Sequence, residues 1–229
     1  MSNPYSDFFL NKNNSKLVIY NSLLENIRIN VFNKNKSKDG SNNLDTIRHD
    51  ELLLTGCLTI IDSKLSDVEI FFENSSCEDA VNFIRTGGNL KKIKVLNSKY
   101  DAIDADSSNI TFDNIEVNNA LNDCVDFSFG NYFINSINVN KCKDKGISVG
   151  EKSTVNVSKF NSLNTKLSFA SKDSSILTLN TFNSDISEKK ICGKIYKKKQ
   201  EFNGAKIILN SNIKCKIDID QFSQLEKRY

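Results

Sequence analysis

The sequence predicts an all-β fold: a single-stranded right-handed parallel β-helix, a solenoid with about 22 residues and three short strands per turn. Three observations lead there. First, one phrase recurs at a fixed step: Asp79-Ala80-Val81-Asn82-Phe83, Asp101-Ala102-Ile103-Asp104-Ala105, Asp123-Cys124-Val125-Asp126-Phe127, Lys145-Gly146-Ile147-Ser148-Val149 and Leu167-Ser168-Phe169-Ala170-Ser171. The starts at 79, 101, 123, 145 and 167 are 22 residues apart, and a fixed period of this size marks stacked repeats. Second, the pieces within each repeat alternate apolar and polar, as half-buried strands do, and show no 3.6-residue period. Third, each repeat holds three such pieces. Asn109-Ile110-Thr111-Phe112 and Ile115-Glu116-Val117 precede the phrase at Asp123, and Tyr132-Phe133-Ile134 and Ile137-Asn138-Val139 precede Lys145. Right-handedness follows because parallel crossovers almost always take that hand.

Taken in order, Met1 to Ser15 reads as a polar, turn-rich lead-in. Leu17 to Tyr20 and Ile27 to Val31 alternate as strands, with Asn21-Ser22 as the turn between them. Asn33 to Asp45, rich in Lys, Asn, Gly and Ser, reads as a surface loop. A solenoid needs its end turns covered. Residues 1–60 are therefore expected to form an N-terminal lead-in and cap with irregular strands, 61–209 the β-helix of about seven to eight turns, and 210–229 a C-terminal cap. Within the helix four inward columns are expected: Val81/Ile103/Val125/Ile147/Phe169, Phe83/Ala105/Phe127/Val149/Ser171, Ile93/Ile115/Ile137 and Val95/Val117/Val139. After Ile137 and Val139 the third and fourth columns step by 23 residues, to Phe160 and Ser162, while the phrase keeps its 22. A one-residue insertion near Gly150 to Ser153 accounts for this. Asn97, Asn118 and Asn140 recur after a strand and are expected to bond from turn to turn as an amide ladder.

Composition excludes several function classes. The net charge of +3 on 229 residues is too small for a nucleic-acid binder unless clustered. No apolar run approaches the length of a membrane span, and the first ten residues lack a secretory pattern. That leaves a cytoplasmic protein, one exported by another route, or part of a longer chain. There are six Cys, no CxxC pair and one His, His49, so no zinc spacing exists. The even Cys count permits disulfides. In a stacked coil Cys also serves as a small apolar filler, and that is the reading adopted. His49, outside the repeats, is read as a surface or cap residue.

The densest chemistry is acidic. Asp79, Asp101 and Asp123 share one column, and Asp104 and Asp126 point outward three residues on. Stacked at about 4.8 Å, such carboxylates raise one another's pKa or invite a cation such as Ca2+. Paired carboxylates are also the equipment of glycoside hydrolysis. Against both stands a plain alternative: Asp before a strand accepts backbone N–H groups and serves the turn. Lys145 is the next residue in the column. A second cluster is basic: Lys189, Lys190, Lys194, Lys197, Lys198 and Lys199 around Tyr196. It reads as a solvated loop or as a surface for an anionic polysaccharide.

Tyr100-Asp101-Ala102-Ile103-Asp104, Asn122-Asp123-Cys124-Val125 and Asp144-Lys145-Gly146-Ile147-Ser148-Val149-Gly150 resemble the motif series of the polygalacturonase family in the pectin-lyase-like superfamily. The resemblance implies a right-handed β-helix with Asp101 and Asp123 as two of three catalytic carboxylates. Asn122 stands at the third, Lys145 at the catalytic histidine, and Lys172 is what remains of an Arg-Ile-Lys. The chain is more similar to bacterial right-handed β-helix repeat proteins, over roughly Asp67 to Leu209, through Ala170-Ser171-Lys172-Asp173 and Tyr196-Lys197-Lys198-Lys199 among other phrases. That likeness implies a link to surface polysaccharide.

Two functions follow as expectations. One is a non-catalytic carbohydrate-binding or structural module needing no cofactor. The other is a polysaccharide hydrolase or lyase using Asp101, Asp123 and Asp126 with Lys145. Ligand contacts are expected at Asp79, Asp104, Lys172, Tyr196, Lys197 and Lys198. Neither needs nucleic acid or a membrane span.

Overall fold

A computed structural model describes residues 5–11, 16–33 and 49–229. Most of the Asn33 to Asp45 loop and parts of the lead-in lie outside the described residues. Among the described residues there are twenty strands and no helix. The first ten are β1 (Ser6–Asn11), β2 (Leu17–Tyr20), β3 (Leu23–Glu25), β4 (Ile27–Phe32), β5 (Gly56–Ile61), β6 (Lys64–Ser75), β7 (Asp79–Ile84), β8 (Gly87–Ser98), β9 (Asp101–Asp106) and β10 (Asn109–Ala120). The rest are β11 (Val125–Ser128), β12 (Asn131–Cys142), β13 (Lys145–Gly150), β14 (Thr154–Leu163), β15 (Leu167–Lys172), β16 (Ile176–Ser184), β17 (Ile191–Tyr196), β18 (Lys206–Leu209), β19 (Lys216–Ile219) and β20 (Gln224–Lys227).

Every pairing is parallel. One sheet runs β2-β5-β7-β9-β11-β13-β15-β17-β19 and the other runs from β1 through the long even-numbered strands to β20. This is a parallel β-solenoid, with the 22-residue step visible as Ile103 against Val125 and Val125 against Ile147. Each long strand is two pieces joined at a corner. In β10 the residues alternate inward through Phe112, turn out at both Asp113 and Asn114, and face in again at Ile115. That corner gives three faces per turn.

The nine strands of the first sheet make about nine turns, more than the seven to eight expected. The outermost turns break the period and so escape a count based on it. Leu17 pairs with Leu58, a step of 41 that spans a long insertion, and Ile176 pairs with Lys206, a step of 30. Residues 6–11, read as lead-in, form β1 beside β4.

All four inward columns form as expected and lie in one buried core. Phe83, Phe112, Phe127 and Tyr132 interlock through it, with Phe127 and Tyr132 ring centroids 4.4 Å apart. Above Phe169 the column closes on Gly193, where a Cβ would meet the Phe169 ring at 2.0 Å. The expected insertion is at Glu151-Lys152. Two left-handed residues sit there, where the earlier turns spend one, Ser107 or Phe129. Ile137 then pairs with Phe160 and Val139 with Ser162.

Amide bonding from turn to turn forms as expected, but the three expected residues divide between two ladders. Asn119 donates to Asn97 at 3.0 Å and Asn97 to Asn74 at 3.1 Å. Asn164 donates to Asn140 at 2.8 Å and Asn140 to Asn118 at 3.2 Å. Asn97 thus stacks with Asn119 rather than Asn118. Asn74, Asn97 and Asn119 all take left-handed backbone, which Asn tolerates better than most residues. The filler reading of the cysteines is corrected. All six pair, Cys57 with Cys77, Cys124 with Cys142 and Cys192 with Cys215. Each pair brings two buried or half-buried thiols across the corner that ends a turn, with Cα atoms 5.4 to 5.8 Å apart.

Because each turn packs only on its neighbours, loss of one interlocking ring is expected to be felt fully. Phe127→Ala should cost about 3–5 kcal/mol in a denaturant titration. A loss under about 1 kcal/mol would show that the core closes around the vacancy.

Candidate functional site

The outer face of β7, β9 and β11 carries the acids, and β13 and β15 continue it with Lys145 and Lys172. Parallel register makes it a grid. Asp79, Asp101, Asp123 and Lys145 form one column by their equal spacing, and Asn82, Asp104, Asp126 and Ser148 pair as the second. Ile84, Asp106, Ser128 and Gly150 pair as the third. Each residue stands about 4.8 Å from its neighbour in the next strand.

The first column is a staircase. Asp101 Oδ1 accepts the backbone N–H of Asp123 at 2.6 Å, and Asp123 Oδ1 accepts that of Lys145 at 2.9 Å. The Lys145 ammonium also reaches both Asp123 oxygens at 3.2 Å and the Asp144 carboxylate. In the second column Asn82 Nδ2 lies 3.1 Å from Asp79 Oδ2, 3.0 Å from Asp104 Oδ2 and 2.9 Å from Thr55 Oγ1. Lys172, only 6 % exposed, lies back across β13 to donate to Ser148 Oγ at 3.1 Å and pair with Asp126 at 3.5 Å. Gly150 makes room for it, since a Cβ there would sit 2.5 Å from Lys172 Cε.

The electrostatics follow. Asp79 and Asp123 are 3 % and 4 % exposed, and burial pushes each up to about 6. For Asp123 the Lys145 charge works against that rise. Burial, then the Asp123 charge, lifts Asp101 to about 8. Burial, then Asp79 and Asp106, holds Asp104 well above the usual carboxylate range, and burial raises Asp106 as well. Burial would lower the Lys145 and Lys172 ammoniums, but the facing carboxylates outweigh it and both are raised. Among the described residues no ion pair reaches Asp79, Asp101, Asp104 or Asp106, while Lys145 and Lys172 serve Asp123 and Asp126. Among those residues no group of three or more His, Cys, Asp or Glu side chains is arranged to hold a metal ion.

The structure therefore brings Asp79, Asp101, Asp104, Asp123, Asp126, Lys145 and Lys172 onto one face. Tyr196 pairs in register with Lys172 and so borders this face from the end of β17, while Lys197 and Lys198 follow just beyond that strand. Lys194 covers the Tyr196 ring at 5.1 Å, Lys197 covers Phe222 at 5.7 Å, and the Lys198 N–H donates to Asp173 at 2.6 Å. Sequence reasoning missed Asn82, Asp106 and Glu151. Asn82 and Asp106 could have been found by extending the columns over β7 and β9. Glu151 sits in the insertion, where no column leads. Its carboxylate accepts from Ser128 Oγ at 2.7 Å and pairs with Lys199 at 2.7 Å. Beside it the exposed Phe129 ring lies 6.1 Å from Phe202, which Lys152 covers at 5.8 Å. A separate groove of about 430 Å³ lies on the Asn-ladder face, lined by Lys94, Glu116, Asn118, Asn138, Asn140 and Leu163.

No family model, no curated protein and no solved structure matches the chain. The resemblance to pectin-lyase-like proteins is thus supported at the level of a parallel β-solenoid and no further. No described helix is long and apolar enough to cross a membrane.

The raised acids make stability depend on pH in an unusual direction. Between the unfolded value of 3.8 and the folded values of about 6 to 8, the folded state holds protons that the unfolded state has released. Stability therefore falls as pH rises through this window. We expect Tm to drop by roughly 5–10 °C between pH 5 and pH 8. Asp104→Asn, which keeps a neutral polar group at this position, should flatten that slope. A Tm that climbs steadily from pH 5 to pH 8 would contradict the assignment.

Proposed function

We propose that this protein is a non-catalytic β-solenoid that binds a glycan on its carboxylate face. The carrying observation is that Asp101 and Asp123 each spend an oxygen on the backbone N–H of the next turn. A general acid or base must be free to exchange a proton with its substrate. These two side chains act first as staples between turns, and Lys145 is bound to Asp123 and Asp144 rather than presented to solvent. The absence of a second His beyond His49 supports the same reading.

The glycan half of the reading rests on the neighbouring corner. Phe129 is 50 % exposed and meets Phe202 with the ring planes 59° apart, so its own ring face offers an apolar surface. Asp106 and Ser128 on the adjoining strands offer polar oxygens beside it, with Ser128 held by Glu151 from the following turn. A few placed polar groups beside aromatic surface is what a sugar site requires. The carboxylates outnumber the two lysines on this face, so a neutral or amino-bearing glycan suits it better than a polyanion. An anionic polysaccharide would have to use the Tyr196–Lys198 corner.

One observation favours a second reading, a hydrolase or lyase with Asp101, Asp123, Asp126 and Lys145. Carboxylic acids raised to about 6 and 8 side by side are tuned as a general acid is. One experiment separates the two. Neutral, amino and uronate polysaccharides are incubated with wild type and Asp123→Ala, with and without Ca2+. Reducing and unsaturated ends are counted, and binding is followed by calorimetry. We expect no new ends, binding of a neutral or amino glycan, and at least a tenfold loss of affinity in Phe129→Ala. Ends released by wild type and not by Asp123→Ala would establish the enzyme instead. No binding to any polysaccharide would remove the glycan reading.

A further inference from the structure

The three disulfides share one design. Their partners are 20, 18 and 23 residues apart, so each closes roughly one turn upon itself. They are also evenly spread. The first members stand at 57, 124 and 192, steps of 67 and 68 residues, or about three turns of 22. No cysteine is left over.

Packing alone does not call for sulfur at these corners. One turn before Cys124 and Cys142, the equivalent positions hold Ala102 and Ala120, and both are fully buried. One turn earlier still they hold Ala80 and Ser98. Small residues fill the corner equally well. What the cysteines add is a covalent closure. In a solenoid each turn is held only by its neighbours, so opening at one turn spreads to the next. A closed turn in each third of the stack limits that spread.

We propose that this chain folds and works in an oxidising compartment, outside the reducing cytosol, where all three turns are closed. Each closure removes two protons and two electrons from a pair of thiols. The electrons pass to an exchangeable disulfide of a thiol oxidoreductase, which is reduced to its dithiol. A glutathione-buffered cytosol would keep the six thiols reduced. Of the three locations the sequence leaves open, the cytoplasmic one is thereby set aside.

The test uses the full chain, produced by an oxidative secretion route and purified without reductant. Free thiols are counted by maleimide mass shift in denaturant, and disulfide-linked peptides are mapped. We expect no free thiol and linked peptides joining Cys57–Cys77, Cys124–Cys142 and Cys192–Cys215. Equilibration of wild type with reductant should lower its Tm. The double variant Cys124→Ala/Cys142→Ala repeats the Ala pair of the previous turn, so it should fold, with Tm lower by roughly 6–12 °C. Free thiols in the secreted protein, a different pairing, or a wild-type Tm indifferent to reductant would overturn the proposal. The reductant experiment needs no variant and decides the matter even if the double variant fails to fold.

Discussion

Parallel stacking at about 4.8 Å sets each side chain beside its own counterpart one turn away. For apolar side chains that constraint is favourable, and the Val81-to-Phe169 column fills the core without a polar atom. For amides it is favourable too, because each Asn both donates and accepts along the stack. For carboxylates it is not. Two ionised Asp side chains at that spacing repel, and burial makes the repulsion stronger. The outer face of β7 to β11 is where the repeat imposes this arrangement.

The chain offsets the repulsion in three ways, each tied to a column. In the first, backbone N–H groups of the following turn bond to Asp101 and Asp123, and Lys145 then replaces Asp. In the second, the Asn82 amide stands between Asp79 and Asp104, and burial holds the Asp104 carboxyl well above the usual carboxylate range. In the third, Gly150 clears a path along which Lys172 reaches back to Asp126. Two lysines entering from the C-terminal side thus bound the acidic region, which explains why the columns lose negative charge from Lys145 onward.

The repeat made most of this legible. A fixed period predicts which residues share a column, so the core, the Asn ladder and the acid columns could be read from spacing alone. What escaped reading has a common cause: it lies off the period. The first turn is hidden by the insertion between Phe32 and Gly56. Glu151 lies in the single-residue insertion, and Phe202 in the irregular stretch after β17. The disulfides join two different columns across a corner, so no column shows both partners. The sequence pattern places Lys172 in a ligand set with Tyr196, its neighbour in register. Its direction, toward β11 rather than β17, depends on Gly150, and a one-dimensional pattern does not give a side chain's direction.

The Cys124–Cys142 closure begins beside Asp123, on the turn that also carries Asp126. It cannot hold adjacent turns together, since both partners belong to one turn. That task falls to the strand hydrogen bonds, against which the carboxylate repulsion acts. The closure instead keeps its own turn from splaying, so Asp123 and Asp126 stay in register with Asp101 and Asp104. Repulsion along the stack and closure within the turn therefore act in different directions and do not cancel. In the proposed glycan-binding role, a ligand would meet carboxylates whose positions are already fixed, so that ordering them would cost less entropy than on a loop. A face built this way trades stability at high pH for rigidity, and both effects arise from the same three turns.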